Sequence, residues 1–176
     1  KMDISIISFG EDPPIDINVI FEVAMRSVPV KYELDKVSGA LYVDRFLHTS
    51  MMYPGNYGFI PHTLAEDGDP VDVLVVGRTP VIAGSVLRSR PIGVLLMEDE
   101  AGPDEKILAV PVNKLKPFYS DTQEYTDVPQ VLLHEIEHFF SQYKALEPGK
   151  FVKISGWGDA AKAAQMITEG IERAPK

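Results

Sequence analysis

The chain has 176 residues, 45% of them hydrophobic and 24% charged, and it contains no cysteine. This length and composition are typical of a globular domain with a buried core and exclude a disordered chain, while the lack of cysteine excludes disulfides and thiolate chemistry. A formal net charge of −9, from 26 acidic and 17 basic residues, argues against nucleic acid as a partner because phosphate-backbone binding needs a basic surface.

The hydropathy and the N-terminal segment predict where in the cell the protein is located. No apolar run approaches the ~18 residues that a membrane span needs. The first 14 residues lack the charged leader and long apolar stretch of a secretion signal. We therefore expect a cytoplasmic protein with no membrane partner, whose natural first residue is Met2, Lys1 being an addition.

From Ile17 onwards the chain reads as short strands rich in Val, Ile, Leu and aromatic residues, separated by turn signals such as Ser-Gly at 38–39 and Ala-Gly at 83–84. Short strands at this spacing predict a small closed or nearly closed barrel. The predicted strands are 17–25, 30–35, 40–47, 71–77, 85–97 and 106–112.

Helices are predicted only late in the chain. The segment 128–149 has helical periodicity between Pro129 and Pro148-Gly149, and a further strand follows at 151–157. Residues 158–174 predict a second helix with Asp159 as its N-cap. The pattern predicts an α+β fold, a β-barrel with two helices packed outside it.

Several predicted strands carry charge where alternation predicts core. Glu22 interrupts an apolar run, Lys31 and Glu33 share one face of their strand, and Arg45 lies among apolar neighbours. Each could be a solvent-facing residue of an amphipathic strand. Together they predict a barrel mouth lined with charge, because buried charges persist only when they are paired or bind a ligand or metal.

The segment EDGDPVDVLVV at 66–76 places Asp67, Asp69 and Asp72 at the start of an apolar strand. The spacing can bring three carboxylates around one point, where their repulsion requires a positive charge such as a divalent cation. An EF-hand is excluded because its fifth and sixth loop positions are here Val71 and Asp72.

A second acidic segment, MEDEAGPDEKI at 97–107, contains Asp99 and Asp104, with Lys106 on the face of Asp104. By itself it could be a solvated hairpin turn, but beside the first cluster it predicts the other wall of a multi-metal site. Carboxylate ligands without Cys or clustered His favour Mg²⁺ or Mn²⁺ over zinc or copper.

The motif HEIEH at 134–138 offers an alternative, since its spacing is that of a zinc protease. A third ligand would have to be a downstream residue such as Glu147, because His48 and His62 lie far upstream among strands and loops. The pattern is short and common in helices, which favours a helix surface or subunit contact.

Taken together, the chain resembles the family I soluble inorganic pyrophosphatases of the bacterial type. The segment DGDPVDVLV at 67–75 is specific to that family, and the other segments keep its order and spacing over nearly the whole chain. They are KYELDK at 31–36, GALYVDRFL at 39–47, MMYPGNYGFIP at 51–61, RPIGVLLMEDEAGPDEKILAVP at 90–111, HFFSQYKALEPGK at 138–150 and GW at 156–157.

The resemblance implies an OB-like five-stranded closed β-barrel with two flanking α-helices, forming one inorganic pyrophosphatase domain over residues 1–176. It implies a homohexamer, a dimer of trimers, whose substrate is pyrophosphate. The implied cofactor is Mg²⁺, with Mn²⁺ or other divalent cations as substitutes.

The resemblance also implies the site residues. The metal ligands would be Glu22, Asp67, Asp69, Asp72, Asp99 and Asp104. The substrate-binding residues would be Lys31, Glu33, Arg45, Tyr57, Tyr143 and Lys144, supported by Tyr53 and Lys106. Asp69 would also be the catalytic residue, accepting the proton of a metal-activated water that attacks phosphorus in line, without a covalent intermediate. The rivals are the zinc protease and a non-catalytic barrel that binds nucleic acid or Ca²⁺.

Overall fold

The strands and helices of the computed structural model follow the predicted order. It describes residues 2–176, so Lys1 lies outside the described residues. Three short 3₁₀ turns lie at Ile4–Ile6, Pro117–Tyr119 and Tyr125–Asp127. The main elements are β1 (Ile17–Val23), β2 (Val30–Leu34), β3 (Leu41–Phe46), β4 (Asn56–Phe59), β5 (Asp72–Val75), β6 (Val86–Asp99), β7 (Gly102–Pro103), β8 (Lys106–Pro111), α1 (Gln130–Gln142), β9 (Val152–Gly158) and α2 (Ala160–Arg173).

Five strands close a ring in the order β1, β4, β5, β8, β6 and back to β1. The ring closes at β1, whose first half pairs with β6 and whose second half pairs with β4. All pairings in the ring are antiparallel except that of β5 with β8. Closure removes exposed sheet edges, and the predicted five-stranded OB-like barrel is confirmed.

Strand β4 is the ring member that the pattern did not predict. Its four residues, Asn56–Phe59, are all buried and pair with both β1 and β5. The sequence around it, MMYPGNYGFIP at 51–61, contains two prolines, two glycines and one asparagine, which favour turns. Burial between two neighbouring strands outweighs that local preference. The other predicted strands agree with the structure to within two residues at each end.

Strands β2 and β3 form a separate antiparallel hairpin, in which Lys31 is the cross-strand neighbour of Arg45. Strand β9 pairs with the second half of β6, outside the ring. The hairpin thus brings two cations from distant sequence positions side by side.

Both predicted helices are present and pack on the barrel, although α1 ends at Gln142, before the predicted stop at Pro148-Gly149. Helix α1 buries Leu133, Ile136, Phe139 and Phe140 in a cluster with barrel side chains. Helix α2 buries Ala163 and Ile167 against the opposite cluster, which contains residues of β1, β5 and β8. The carboxylate of Asp159 accepts a hydrogen bond from the Lys162 amide at 2.8 Å, which confirms the predicted N-cap. Within residues 2–176, no helix combines the length and the apolar character needed to cross a membrane.

Candidate active site

One cleft of about 940 Å³ is lined by all the predicted site residues except Tyr53. The carboxylates come from β1, from the segment that leads into β5, and from the β6–β8 connection. The cations come from the β2–β3 hairpin, from β8 and from the segment after α1. Folding therefore brings together side chains that are spread over more than a hundred residues of sequence.

The first two aspartates lie on a tight turn that we call the acidic turn, residues 65–69. The Ala65 amide donates to the Asp69 carbonyl at 2.7 Å, and the Gly68 amide donates to the Ala65 carbonyl at 3.1 Å. Gly68 has φ +91°, a backbone conformation that favours glycine. The Asp69 amide donates to Oδ1 of Asp67 at 3.0 Å, and both aspartate side chains are exposed in the cleft.

Lys106, the first residue of β8, holds Asp72 at the start of β5 and Asp104 just before β8. Its Nζ donates to Oδ2 of Asp72 at 2.7 Å, to Oδ1 of Asp104 at 2.8 Å and to the Tyr57 hydroxyl at 3.1 Å. The Lys106 side chain is only 4% exposed. Burial would lower the pKa of Lys106, but the negative charge of Asp72 and its other partners outweigh burial and hold that pKa well above its usual value.

Lys144 makes the corresponding contact with the end of β6. Its Nζ donates to Oδ2 of Asp99 at 2.8 Å and lies 3.5 Å from Oε2 of Glu100. Burial would raise the pKa of Asp99, yet the hydrogen bonds from Lys144 and the Ala101 amide, together with the Lys144 charge, outweigh burial and hold that pKa below its usual value. Two lysine ammonium groups, those of Lys106 and Lys144, thus bind three of the six predicted metal-ligand carboxylates.

Among residues 2–176, no three side chains of Asp, Glu, His or Cys are grouped closely enough to hold a metal ion. The convergence of Asp67, Asp69 and Asp72 that their spacing suggested is therefore not present in the structure. The three carboxylates stay apart because Asp72 is bonded to Lys106, whereas the other two aspartates lie on the exposed acidic turn.

Glu22 is the buried carboxylate of the cleft. It is 7% exposed, and its Oε2 accepts a hydrogen bond from the Leu34 amide at 2.6 Å. Burial raises the pKa of Glu22 to about 7, with the charges of Asp72 and Glu33 adding to the rise and the Leu34 hydrogen bond opposing it. Burial also raises the pKa values of Asp67 and Asp104. A cation near these carboxylates would lower the free-energy cost of ionising them.

Glu22→Gln is expected to stabilise the protein in EDTA at alkaline pH. The raised pKa means that the folded state binds the proton more tightly, so ionisation of Glu22 opposes folding. The penalty is absent below a pH of about 4.5, grows as pH rises, and is complete above about 7, where it reaches about 3 kcal/mol. Free energies of unfolding in urea, measured from about pH 4 to pH 8, should show a gain for the variant that appears only as pH rises. An equal gain in Glu33→Gln, which changes an exposed carboxylate of the same cleft, would contradict burial as the cause.

The two hairpin cations share an acidic partner that sequence analysis did not identify. Oδ2 of Asp44 lies 3.3 Å from Nζ of Lys31 and accepts a hydrogen bond from Nε of Arg45 at 2.9 Å. Nη1 of Arg45 also donates to Oε1 of Glu147 at 3.0 Å. Burial would raise the pKa of Asp44, but the Arg45 hydrogen bond and the Lys31 charge outweigh it, so that pKa is lowered.

The position of Asp44 depends on a β-bulge. The register passes from the Lys31–Arg45 pair directly to the Tyr32–Val43 pair, so Asp44 is the unpaired extra residue. In regular alternation Asp44 would lie on the face opposite Arg45, and a bulge changes that direction. In the local sequence, only the presence of an acidic residue next to an arginine could have indicated this role of Asp44, and such pairs are common on protein surfaces.

Aromatic rings lie beneath the cleft. The Tyr53 ring lies 5.2 Å from the Tyr57 ring, 6.5 Å from the Tyr143 ring and 4.5 Å from the Phe139 ring. Tyr53 is 1% exposed, so it supports Tyr57 and Tyr143 from below and does not line the cleft. Burial raises the pKa of Tyr143 to about 12 and that of Tyr57 well above its usual value. Both phenols therefore keep their protons at neutral pH.

The HEIEH residues at 134–138 lie on α1 away from the cleft. Both histidines and the first glutamate are exposed, and Oε1 of Glu137 accepts a hydrogen bond from Trp157 Nε1 at 2.6 Å. Glu147, the downstream residue that a zinc site would have needed, is instead bonded to Arg45. This geometry favours the helix-surface interpretation over the zinc protease.

Comparison with known proteins agrees with the resemblance seen in the sequence. The chain is 59% identical to the inorganic pyrophosphatase of Caulobacter vibrioides over 172 residues, which cover 98% of this chain and 97% of the relative. It matches a crystal structure of an inorganic phosphatase from Anaplasma phagocytophilum with a TM-score of 0.95 and 53% identity, covering 97% of this chain and 99% of that one. For an inorganic pyrophosphatase structure from Coxiella burnetii the TM-score is 0.93 and the identity 48%, with coverages of 96% and 100%. The sequence model for inorganic pyrophosphatase matches residues 19–175, and the chain belongs to this family.

Proposed function

We propose that this cleft hydrolyses inorganic pyrophosphate to two orthophosphates in a Mg²⁺-dependent reaction, by direct in-line attack of water without a covalent intermediate. Family membership makes the chain an inorganic diphosphatase, a hydrolase of pyrophosphate. The observation that supports the mechanism is the shared cleft, where the six proposed ligand carboxylates lie with lysine, arginine and tyrosine donors.

The residues of the cleft fit Mg²⁺ by their chemistry. The proposed ligands are all carboxylate oxygens, which this hard cation prefers, and burial raises the pKa of three of them above the usual value. They are Glu22, Asp67, Asp69, Asp72, Asp99 and Asp104. Bound there, Mg²⁺ would neutralise phosphoryl oxygens and lower the pKa of the attacking water.

The hairpin and the segment after α1 provide donors for the phosphoryl oxygens. Lys31 and Arg45 are pre-oriented by Asp44, so their positive charges are ordered before substrate arrives. Tyr57 and Tyr143 keep their phenolic protons at neutral pH and can donate hydrogen bonds to phosphate. With Lys144, these groups would stabilise the charge that develops on the leaving phosphate. Glu33, which lies 3.6 Å from Lys31, is proposed to support this binding.

Asp69 is proposed to accept the proton of the attacking water. Its side chain is exposed in the cleft, on the acidic turn beside Asp67. Within residues 2–176, no hydrogen bond or ion pair engages the Asp69 carboxylate. Asp72 and Asp104 are by contrast bonded to Lys106, which makes them less available for proton transfer. We therefore propose a supporting role for Lys106, which orders these aspartates.

The assembly and the location are also proposals. Family resemblance supports a homohexamer arranged as a dimer of trimers, and the absence of cysteine is compatible with the cytoplasm. A single domain over residues 1–176 stays a prediction, and the family model matches residues 19–175 of it.

A phosphate-release assay tests the function. Purified protein with Mg²⁺ is expected to convert each pyrophosphate to two phosphates, and excess EDTA is expected to abolish the reaction. His134→Ala/His138→Ala should keep this activity, because both histidines are exposed on α1 outside the cleft. Absence of phosphate release by wild type would support the rival non-catalytic barrel. Stoichiometric bound zinc, together with loss of activity in the double variant, would support the zinc site.

A further inference from the structure

The C-terminal turn of α2 contacts the residue that leads into the acidic turn. The last four carbonyl groups of a helix have no partner within the helix. One of them, the carbonyl of Gly170, accepts a hydrogen bond from the Leu64 amide at 2.9 Å. Nη1 of Arg173 donates to the Leu64 carbonyl at 2.7 Å. Both backbone polar groups of Leu64 are therefore bonded to α2.

Leu64 is directly connected to the two carboxylates of the acidic turn. Its neighbour Ala65 donates to the Asp69 carbonyl at 2.7 Å and accepts from the Gly68 amide at 3.1 Å. These bonds close the turn, so Asp67 and Asp69 cannot move independently of Ala65. A displacement of Leu64 would consequently shift both carboxylates together.

Val71, two residues beyond the acidic turn, also approaches α2. A Cβ atom built at Gly170 would lie 2.7 Å from Cγ2 of Val71, so only glycine allows this separation. Val71 packs with Ala163 and Ile167 of α2, and beside this contact a cavity of about 110 Å³ is lined by Ala65, Val71 and Arg173 among other residues. The chain on the far side of the turn is held by the Val71 amide, which donates to Oγ1 of Thr63 at 3.0 Å, while the near side is held at Leu64 by its two hydrogen bonds to α2.

We propose that Arg173 and Gly170 are positioning residues, which hold Leu64 so that the acidic turn presents Asp67 and Asp69 to divalent cations. Neither residue lines the cleft, so neither can contact a cation that is bound there. The proposal rests on the proposed function, since it takes the two aspartates as cation ligands.

The Arg173→Met variant separates positioning from electrostatics, because the two effects change the cation affinity in opposite directions. Removing a positive charge near an acidic cluster would by itself strengthen cation binding, whereas loss of positioning would weaken it. Mn²⁺ binding is measured from the electron paramagnetic resonance signal of free Mn²⁺, without substrate. The expected result is binding weakened about three- to tenfold, the equivalent of one hydrogen bond. At saturating Mn²⁺, kcat is expected to stay close to that of wild type.

Two further variants complete the design. Arg173→Lys keeps a donor for the Leu64 carbonyl and is expected to restore most of the affinity, while Gly170→Ala is expected to weaken Mn²⁺ binding by pushing against Val71. Lys114→Met removes the same charge from an exposed site outside the cleft and is expected to have no effect.

The proposal is overturned if Arg173→Met binds Mn²⁺ as tightly as wild type or more tightly, or if Lys114→Met weakens binding equally. A failure of wild type to release phosphate would instead refute the proposed function, and the Mn²⁺ comparison would still report on the turn.

Discussion

Asp69→Asn is expected to lower kcat for pyrophosphate hydrolysis by about two to four orders of magnitude, because the amide cannot accept the proton of the attacking water. The substitution also removes a negative charge from the proposed metal ligands, so a higher Mg²⁺ requirement should accompany the loss. Steady-state phosphate release over a range of Mg²⁺ concentrations separates these effects, since only the loss of the base persists at saturating Mg²⁺.

The fold of this variant should be unchanged. Asn has nearly the size of Asp, the Asp69 side chain is exposed, and the bonds that close the acidic turn use the backbone of residue 69. The matched control is Asp121→Asn, an exposed aspartate outside the cleft, which is expected to keep wild-type kcat. Near-wild-type turnover by Asp69→Asn at saturating Mg²⁺ would remove Asp69 as the catalytic residue.

Lys106→Met is expected to destabilise the protein in EDTA by about 3–5 kcal/mol, the range found when one partner of a buried ion pair is removed. Methionine keeps roughly the length of the side chain but leaves Asp72 and Asp104 without the ammonium group that both contact within 2.8 Å. The Tyr57 hydroxyl loses its donor as well. The urea midpoint at neutral pH measures the effect.

Lys153→Met is the matched control, because it removes an ion pair that is exposed to solvent instead of buried. Lys153 lies 3.6 Å from Glu98, and its side chain is 72% exposed. Exposed pairs contribute about 0–1 kcal/mol, so this variant should unfold nearly as wild type does. If Lys106→Met unfolds as Lys153→Met does, the buried cluster does not stabilise the protein in the way its geometry indicates.

Excess Mg²⁺ extends the same experiment. A cation that binds the folded state raises the free energy of unfolding. Mg²⁺ should therefore recover part of the loss in Lys106→Met, because the freed aspartates can accept the cation in place of the ammonium group. Recovery by Mg²⁺ but not by an equal ionic strength of NaCl would separate binding from screening.

Much of the secondary structure could be predicted because it depends on local pattern. Seven strands, both helices and the Asp159 N-cap follow from apolar periodicity, turn residues and one capping side chain. Strand β4 could not be predicted, since its turn-forming residues are kept extended by burial between β1 and β5. Local propensity is weak where neighbouring strands supply the hydrogen bonds and exclude water.

The sequence was sufficient to identify the family and the acidic segments, because carboxylates at unusual positions in apolar segments can be recognised from the order of residues alone. Which groups neutralise them was decided only in three dimensions. Lys106 reaches Asp72 across 34 residues of sequence, and Arg45 reaches Glu147 across 102. Asp44 joins Lys31 to Arg45 through a bulge that strand alternation does not predict. Helix α2 contacts Leu64, the residue that leads into the acidic turn, through Gly170 and Arg173, again at long range in sequence. The local sequence shows which charged side chains are present. Their pairing and burial depend on the tertiary fold, because folding brings residues that are distant in sequence within a few ångströms of one another.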